Sequence, residues 1–246
     1  MPEGDSIHRA AARLRPLVGR RVEAEPPHPR GLLTGVAAAV DGRVLESAEA
    51  VGKHLLLRFE GGIVVRSHLR TSGRWRVGPR GTRMVGRPWL VLRAGAFEAM
   101  QWNGPVLTLD ASPVRRLGPD LLAAGIDPVS LVERFRRAGP DRLLGDVLLD
   151  QRVVAGIGNM WMAESLWAAR VSPWLPLGSA TDVELSEALT WAQREMRAAV
   201  SGARPPRAVY RCSGRRCPRC GVPVRSAGLR DHNRIAYWCD GCQRHG

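Results

Sequence analysis

The chain has 246 residues, of which 44% are hydrophobic, enough to bury one large core or two ordinary ones. Its formal net charge of +14 is typical of proteins that bind nucleic acid. No apolar run approaches the roughly 20 residues that cross a bilayer, and no lipidation motif is present, so we expect no membrane attachment.

The first residues, 1–5, are acidic and lack an apolar stretch, so we expect no signal peptide. We therefore expect a reducing compartment, the cytoplasm, where disulfides are rare. The five cysteines of the chain are then metal ligands or thiols rather than disulfide partners.

The first predicted element is an amphipathic helix over residues 5–18, with Asp5 as its N-cap and Gly19 as its stop. Residues 20–110 break into short apolar runs separated by Gly and Pro, a pattern typical of a sandwich or barrel of short strands. Strands are predicted over residues 36–40, 44–50, 54–59, 63–68, 75–77, 89–93 and 106–109.

Beyond a proline-containing connector over residues 111–128, the pattern becomes helical. Helices are predicted over residues 129–137, 140–150 and 159–169. A fourth helix begins at Thr181, where Glu184 completes the spacing of a capping box. A Pro/Arg-rich linker over residues 201–211 then leads to a final segment that holds all five cysteines.

Four of these cysteines have the spacing of a metal site, Cys-x2-Cys-x18-Cys-x2-Cys. Each pair forms a chelating knuckle, and four thiolates complete a tetrahedral site for one structural Zn²⁺. Segments 222–224 and 235–238 are predicted to pair as a hairpin, which is too small to have a core without its metal. The alternative is a set of redox thiols without metal, and Cys212 is left as a spare thiol. The four predicted ligands are Cys217, Cys220, Cys239 and Cys242.

Two segments have the residue types that bind phosphate. In residues 151–159 a helix ends, glycine turns follow, and a new helix begins near Asn159, so bare amides and a helix N-terminus coincide. By itself this pattern also fits a simple helix hairpin. The predicted tip of the cysteine hairpin, residues 225–234, carries three arginines that are either solvated charge or phosphate ligands: Arg225, Arg230 and Arg234.

The remaining candidates are groups that could exchange protons. Of 37 Lys and Arg residues only Lys53, in a glycine turn, is a lysine, and an ammonium can be tuned to exchange a proton where a guanidinium cannot. With Met1 removed, Pro2 presents a secondary amine able to form a Schiff base, and Glu3 beside it can shuttle protons. The alternatives are a lysine retained by chance and an ordinary chain start.

Taken in order, these motifs resemble the formamidopyrimidine-DNA glycosylase/endonuclease VIII family of DNA-repair enzymes. The resemblance covers essentially the whole chain, and the start Pro2-Glu3-Gly4-Asp5 is closer to the endonuclease VIII branch. It rests on this start, on Gly52-Lys53-His54, on residues 151–159 and on the terminal cysteine hairpin, with further matches at residues 68–73, 117–120 and 233–239.

The resemblance implies an α+β multidomain protein. An N-terminal helix and antiparallel β-sandwich would face, across a cleft, a helix-two-turn-helix domain with a four-cysteine zinc-finger β-hairpin. The expected boundaries are 1–112 for the catalytic helix and sandwich, 113–128 for the connector, 129–210 for the helix-two-turn-helix domain and 211–246 for the zinc finger.

The family flips a damaged base out of DNA, which exposes the sugar carbon at the cost of unstacking. By matching position, Pro2 would attack the sugar C1′, displace the base and form an imine. Glu3 would protonate the ring oxygen, Lys53 would contact phosphate and exchange protons, and β- and δ-elimination would cleave the backbone. The remaining DNA contacts implied by the resemblance are Asn159, Arg234, His68 and Arg70.

Three features depart from the family pattern. Ser6 stands where many relatives have a second glutamate, and Thr71 stands where many have a bulky residue that fills the hole left by the flipped base. Residues 94–106 do not match the second wedge loop of the family. Thinner wedging predicts activity on single-stranded or bubble DNA.

We therefore expect a bifunctional DNA glycosylase and AP lyase for oxidised bases, pyrimidines favoured, acting as a monomer on damaged DNA in a bacterial cytoplasm at the nucleoid. Three alternatives remain. These are a lyase that acts only on abasic sites, a non-catalytic zinc-ribbon DNA-binding protein on the same scaffold, and an RNA-binding ribosomal or translation accessory protein.

Overall fold

The computed structural model describes residues 2–83, 85–205, 207–229 and 234–245. The chain divides into two compact units, Met1–Arg116 and Leu117–Gly246. Arg230, one of the three arginines assigned to the hairpin tip, lies outside the described residues. Within the described part of the chain, every helix is too short or too polar to cross a bilayer.

Helix α1, Gly4–Leu14, opens the first unit and continues as a 3₁₀ turn over Arg15–Leu17. The helix was predicted, but its N-cap is Glu3 rather than Asp5, because the backbone is extended at Glu3 and the Glu3 carbonyl accepts the first helical bonds. Asp5 lies instead in the first turn, 3% exposed, where it pairs with Arg9 at 3.3 Å. The α-helix ends before residue 18 because Pro16 has no N–H to donate.

Two antiparallel sheets form the body of this unit. The five-stranded sheet has the order β1-β3-β4-β5-β9, with β1 Arg20–Arg21, β3 Val44–Val51, β4 His54–Phe59, β5 Ile63–His68 and β9 Val106–Thr108. The four-stranded sheet has the order β2-β7-β8-β6, with β2 Glu23–Glu25, β6 Arg74–Pro79, β7 Leu90–Ala94 and β8 Phe97–Trp102. Two short helices connect β2 to β3, α2 at Pro29–Leu32 and α3 at Val36–Val40.

The predicted strand over residues 36–40 is wrong, because this segment is helix α3. Gly35, with φ +67, starts the helix, and Val36 and Val40 are both fully buried one turn apart. Strand β8 was not predicted, since the buried polar residues Glu98 and Gln101 break the apolar pattern of its sequence.

The core of the first unit joins α1 to both sheets, which makes the unit a β-sandwich closed by a helix. Ile7 and Leu14 of α1 lie in one cluster with Leu55 and Leu57 of β4 and Leu92 of β7. This packing holds the start of α1 and the β3–β4 turn in fixed positions.

The second unit is mainly helical. A 3₁₀ turn over Val129–Leu131 runs into α4, Val132–Arg136, and α5 is shorter than predicted because its N-cap, Leu143, has extended backbone. The capping box between Thr181 and Glu184 is confirmed. The other helices are α5 Leu144–Leu149, α6 Asn159–Ala168 and α7 Asp182–Val200.

The terminal hairpin pairs β10, Arg225–Leu229, with β11, Arg234–Trp238. The predicted first strand, 222–224, is wrong, because Val222 and Val224 exchange backbone hydrogen bonds with the segment from Gly214 to Cys217. Arg225 consequently lies in a strand rather than in a loop.

The hairpin shares its core with the helices of the second unit. Leu229, Ala236 and Trp238 belong to the same buried cluster as Trp161 of α6 and Met196 of α7. The position of β11 is therefore fixed relative to the start of α6.

Candidate functional site

The start of the chain lies at the N-terminal end of the amphipathic helix α1. Glu3 is the N-cap of α1 and is 2% exposed, and Pro2 precedes it half-buried. Pro2 borders a cleft of about 150 Å³ between α1 and β6. Ser6 and Leu69 are among the residues that line this cleft. The side chain of Ser6 is short and leaves the cleft open beside it.

Lys53 lies in the two-residue turn between β3 and β4. Val51 pairs with His54 across this turn, and Gly52 has φ +59, a left-handed conformation that suits glycine. Burial lowers the pKa of both His54 and His68, and the charge of Lys53 contributes in the same direction.

His54 and His68 face each other on neighbouring strands. The antiparallel register pairs Leu55 with Ser67, so His54, which precedes Leu55, lies opposite His68, which follows Ser67. The two ring centroids are 4.6 Å apart. Burial, followed by nearby positive charge, lowers the pKa of His68 to about 4. The two imidazoles are therefore uncharged at neutral pH, since burial also lowers the pKa of His54, to about 3.

The loop after β5 is held in a tight turn. The backbone N–H of Arg70 donates to Nδ1 of His68 at 3.1 Å, with Arg70 itself in a left-handed conformation at φ +50. At Gly73 a Cβ would lie 2.6 Å from the Leu69 carbonyl oxygen, so only glycine fits there. Thr71 is exposed on this loop, which places His68, Arg70 and Thr71 together.

In the second unit, two side chains organise the turn between α5 and α6. The amide of Gln151 donates to the carbonyls of Leu149 and Ile157, and its oxygen accepts from Gly156, which has φ +102. The carboxylate of Asp150 accepts hydrogen bonds from the guanidinium groups of Arg152 and Arg142. Burial alone raises the pKa of Asp150, but these hydrogen bonds outweigh it and lower the pKa to about 2.

Asn159 connects this turn to the terminal hairpin. It is the first residue of α6, it is 8% exposed, and its Nδ2 donates to the Ile235 carbonyl at 2.8 Å. Its Oδ1 is buried without a hydrogen-bond partner among the described residues. Arg234, the exposed residue before Ile235, is thereby brought near Asn159, so the structure gathers these two predicted residues in one place.

Glu164 has a positioning role that the sequence did not predict. It is fully buried on α6 and accepts backbone N–H groups from Ala208, Val209 and Tyr210 at 2.7–3.0 Å. Burial raises the pKa of its carboxyl group. The available signal was the one charged residue of a mostly apolar helix.

The four predicted metal ligands come together. Their sulfur atoms all lie within 4.8 Å of one another, with Cys217 and Cys242 3.8 Å apart and Cys220 and Cys239 3.3 Å apart. The indole N–H of Trp167 donates to the Cys217 sulfur at 3.4 Å, which supports a thiolate there. The cluster is built to hold a metal ion.

Cys212, Arg225 and residues 94–106, which the sequence analysis also singled out, lie outside the metal-ligand cluster. Cys212 is not part of the cluster; its sulfur lies against backbone carbonyls, including that of Tyr210. Arg225 pairs with Asp240. Within residues 94–106, β7 and β8 are joined by a tight turn at residues 95–96, and β8 and β9 by residues 103–105, so no long loop is present in this segment.

Comparison with known proteins matches both units to one family. Residues 1–102 match the formamidopyrimidine-DNA glycosylase N-terminal domain, and residues 117–205 match the formamidopyrimidine-DNA glycosylase H2TH domain. The chain is 37% identical to the probable endonuclease 8 2 of Streptomyces coelicolor, over 99% of this chain and 94% of that protein. It is 33% identical to the DNA-(apurinic or apyrimidinic site) lyase Nei2 of Mycolicibacterium smegmatis, over 99% of each chain.

The fold is also shared with solved structures. The Lactococcus lactis Fpg in complex with DNA that contains an abasic site superposes with a TM-score of 0.80. The superposition covers 98% of this chain and 99% of that one at 20% identity. Helix, sandwich, H2TH domain and cysteine hairpin therefore form an Fpg-like fold.

Proposed function

The chain belongs to the formamidopyrimidine-DNA glycosylase family, and from that premise we propose that it excises oxidised bases from DNA and cleaves the resulting abasic site through a covalent bond to Pro2. It is a DNA glycosylase with AP lyase activity that acts in base excision repair. The observation that supports the role of Pro2 most directly is its position, next to the buried Glu3 at the start of α1 and at the edge of a cleft.

The reaction requires that Met1 is removed, so that Pro2 carries a secondary amine. The electropositive start of α1 favours the neutral, nucleophilic form of that amine. The Pro2 nitrogen bonds to C1′, the C1′–base bond breaks, and the base leaves with the electron pair and takes up a proton. Glu3 gives a proton to the sugar ring oxygen, the ring opens, and an iminium links Pro2 to the sugar.

Strand cleavage follows by elimination. The iminium withdraws electrons, so that loss of a proton from C2′ breaks the C3′–oxygen bond, and a second elimination breaks the C5′–oxygen bond. Lys53 contacts phosphate and exchanges protons in these steps, a task for which an ammonium is suited and a guanidinium is not. The position of Lys53 supports this role, because the tight turn between the paired strands β3 and β4 holds its backbone in place.

Each unit supplies contacts to the DNA backbone. In the first unit, His68 and Arg70 lie on one tight loop. In the second, Asn159 Nδ2 has two hydrogens, of which one is used by Ile235 and one is available for phosphate, and Arg234 extends from the adjacent strand residue. The partner is damaged DNA, bound by a monomer at the nucleoid of a bacterial cytoplasm.

The metal held by the cysteine cluster is one structural Zn²⁺. Sulfur atoms bonded at about 2.3 Å to a tetrahedral zinc ion lie about 3.8 Å apart. The 3.8 Å separation of the Cys217 and Cys242 sulfur atoms matches this geometry, and that of Cys220 and Cys239, at 3.3 Å, is about 0.5 Å shorter. The ion closes the hairpin that carries Arg234.

Oxidised pyrimidines are the favoured bases, because the chain start and the relatives named endonuclease 8 both point to that branch. A second candidate is a lyase that acts only on abasic sites. The exposed Thr71 and the three-residue connection between β8 and β9 favour it, since they offer little bulk to fill the space of a flipped base. A relative at 33% identity is named a DNA-(apurinic or apyrimidinic site) lyase.

Borohydride trapping tests the proposal. Protein that begins at Pro2 is mixed with DNA containing an abasic site or an oxidised pyrimidine, and the adduct is located by peptide mass spectrometry. The matched control keeps an N-terminal extension, which turns the amine into an amide. We expect a Pro2 adduct only without the extension; full strand cleavage by the extended protein would contradict the proposal.

A further inference from the structure

Two imidazoles lie in contact between the Lys53 turn and the loop after β5. The rings of His54 and His68 are inclined by 59°, with centroids 4.6 Å apart. His68 is a proposed phosphate contact, whereas the chemistry described so far gives His54 no part.

The backbone decides which nitrogen of His68 carries the proton. Nδ1 of His68 accepts the N–H of Arg70 at 3.1 Å, and a ring nitrogen that accepts a hydrogen bond carries no proton. The proton of the neutral ring is therefore on Nε2, which is the donor that remains for a ligand.

The surroundings keep both rings uncharged. Burial is the main cause of the lowered pKa values, and the cations that face the rings add to it: Arg66 from β5, Arg70 from the following loop and Lys53 from the β3–β4 turn. The backbone carbonyl of Asp110 accepts a hydrogen bond from Arg66 Nε at 2.7 Å, and the Asp110 carboxylate also interacts electrostatically with Arg66. His68 thus acts as a neutral donor of fixed direction rather than as a charge.

His54 acts on His68 through packing rather than through a hydrogen bond. Its Nδ1 is buried without a hydrogen-bond partner among the described residues, so that nitrogen orients nothing through hydrogen bonding. What His54 offers His68 is a rigid, flat ring at contact distance. Without that ring, the His68 imidazole would be free to turn about its side-chain bonds and lose the bond from Arg70.

We propose that His54 is a positioning residue, whose ring holds the His68 imidazole in the orientation and tautomer in which Nε2–H donates to a DNA phosphate. This inference rests on the phosphate role proposed for His68. The ligand of the site is the phosphodiester next to the lesion.

The test compares His54→Phe, which keeps a flat ring, with His54→Ala, which removes it. Affinity is measured on an oligonucleotide with an uncleavable abasic-site analogue. We expect a loss of about tenfold for His54→Ala, the worth of one hydrogen bond to a charged acceptor, and a change within about twofold for His54→Phe. Imidazole ¹⁵N NMR of His68 should show the Nε2–H tautomer in the wild type and His54→Phe, and a tautomer mixture in His54→Ala.

A double-mutant cycle separates positioning from general destabilisation. Because His54 acts through His68, His54→Ala should cost nothing further in a His68→Ala background. Equal losses in both backgrounds would overturn the inference, as would wild-type affinity in His54→Ala or a His54→Phe variant as weak as His54→Ala. If His54→Ala does not fold, His54→Leu, which keeps apolar volume without a flat face, takes its place in every comparison.

The steady-state readout is a rise in KM for abasic-site cleavage, with the single-turnover rate at saturating enzyme within about twofold of wild type. The proposed function is tested separately: it fails if wild-type protein forms no adduct with DNA after borohydride reduction. The affinity and NMR measurements need no catalysis and still decide the role of His54 in that case.

Discussion

The side-chain amide of Asn159 donates to the main-chain carbonyl of Ile235 at 2.8 Å, so the first residue of α6 is tied to the strand that Arg234 begins. The two residues are 76 positions apart in the chain. One hydrogen bond therefore links the glycine turn of the helical region to the cysteine hairpin, the two segments that carry the phosphate contacts proposed for the second unit.

Arg234→Gln should weaken DNA binding and make it less dependent on salt. Loss of one cation that contacts phosphate lowers the slope of log affinity against log salt by about 1. The measurement is fluorescence anisotropy across a salt series. Arg194→Gln is the control, because Arg194 lies on α7 beside Glu195 at 2.9 Å and has no proposed role; a slope change as large in this control would contradict the assignment.

Asn159→Asp should be more damaging than Asn159→Ala. The carboxylate has nearly the same size as the amide but places negative charge against the Ile235 carbonyl and against phosphate, whereas alanine only removes the donor. Affinity and thermal unfolding are measured for both variants. Equal affinities for the two would show that no phosphate approaches Asn159.

Glu3→Gln should separate the two chemical steps. Base excision requires a proton on the sugar ring oxygen, and loss of a general acid costs about 100-fold or more. A preformed abasic site is partly an open aldehyde, which the Pro2 amine attacks without that proton. We expect excision to fall far more than cleavage of abasic DNA in single-turnover assays, and a parallel fall in both would be inconsistent with this role.

Removal of the metal should disrupt more than the hairpin. Leu229 and Trp238 lie in the core of the second unit, so loss of the ion exposes part of that core and displaces Arg234. Cys220→Ser should lose the zinc measured by mass spectrometry and lower both the melting temperature and DNA affinity. Cys212→Ser is the matched control and should keep one zinc per chain; loss of zinc there instead would refute the ligand set.

Because of Asp150, the free energy of unfolding should decrease when the pH falls below about 4. Its pKa is about 2 in the folded chain against an ordinary 3.8, so the charged form stabilises the fold above pH 4. That stabilisation disappears as the pH falls from about 4 to about 2. Asp150→Asn should therefore unfold at lower urea concentration than wild type at pH 7, with the difference much smaller at pH 2.5. A difference that persists at pH 2.5 would assign the effect to packing.

Local chemistry determined what the sequence alone could predict. Four cysteines at chelating spacing fixed the metal cluster, Thr181 and Glu184 fixed the start of α7, and alternating apolar residues fixed β3, β4 and β5. Each of these depends on residues close together in the chain, whose side chains or hydrogen bonds act within one element.

Long-range packing decided the rest. Residues 36–40 have β-branched valines but form a helix, because Val36 and Val40 reach one core only at helical spacing. Strand β8 carries buried polar residues that no local pattern assigns to a strand, and β10 lies three residues beyond its predicted position because Val222 and Val224 already bond to another segment.

The site shows the same division. The sequence by itself predicted which residues could do chemistry, because reactivity belongs to residue type. The cysteine cluster is confirmed, whereas the roles of Pro2, Glu3, Lys53 and Asn159 stay predictions. Only the tertiary structure decided that His54 faces His68, that Glu164 holds Ala208–Tyr210 and that Asn159 bonds to Ile235. These pairs are set by strand register and by backbone groups that must be satisfied once buried, and neither is visible before the chain has folded.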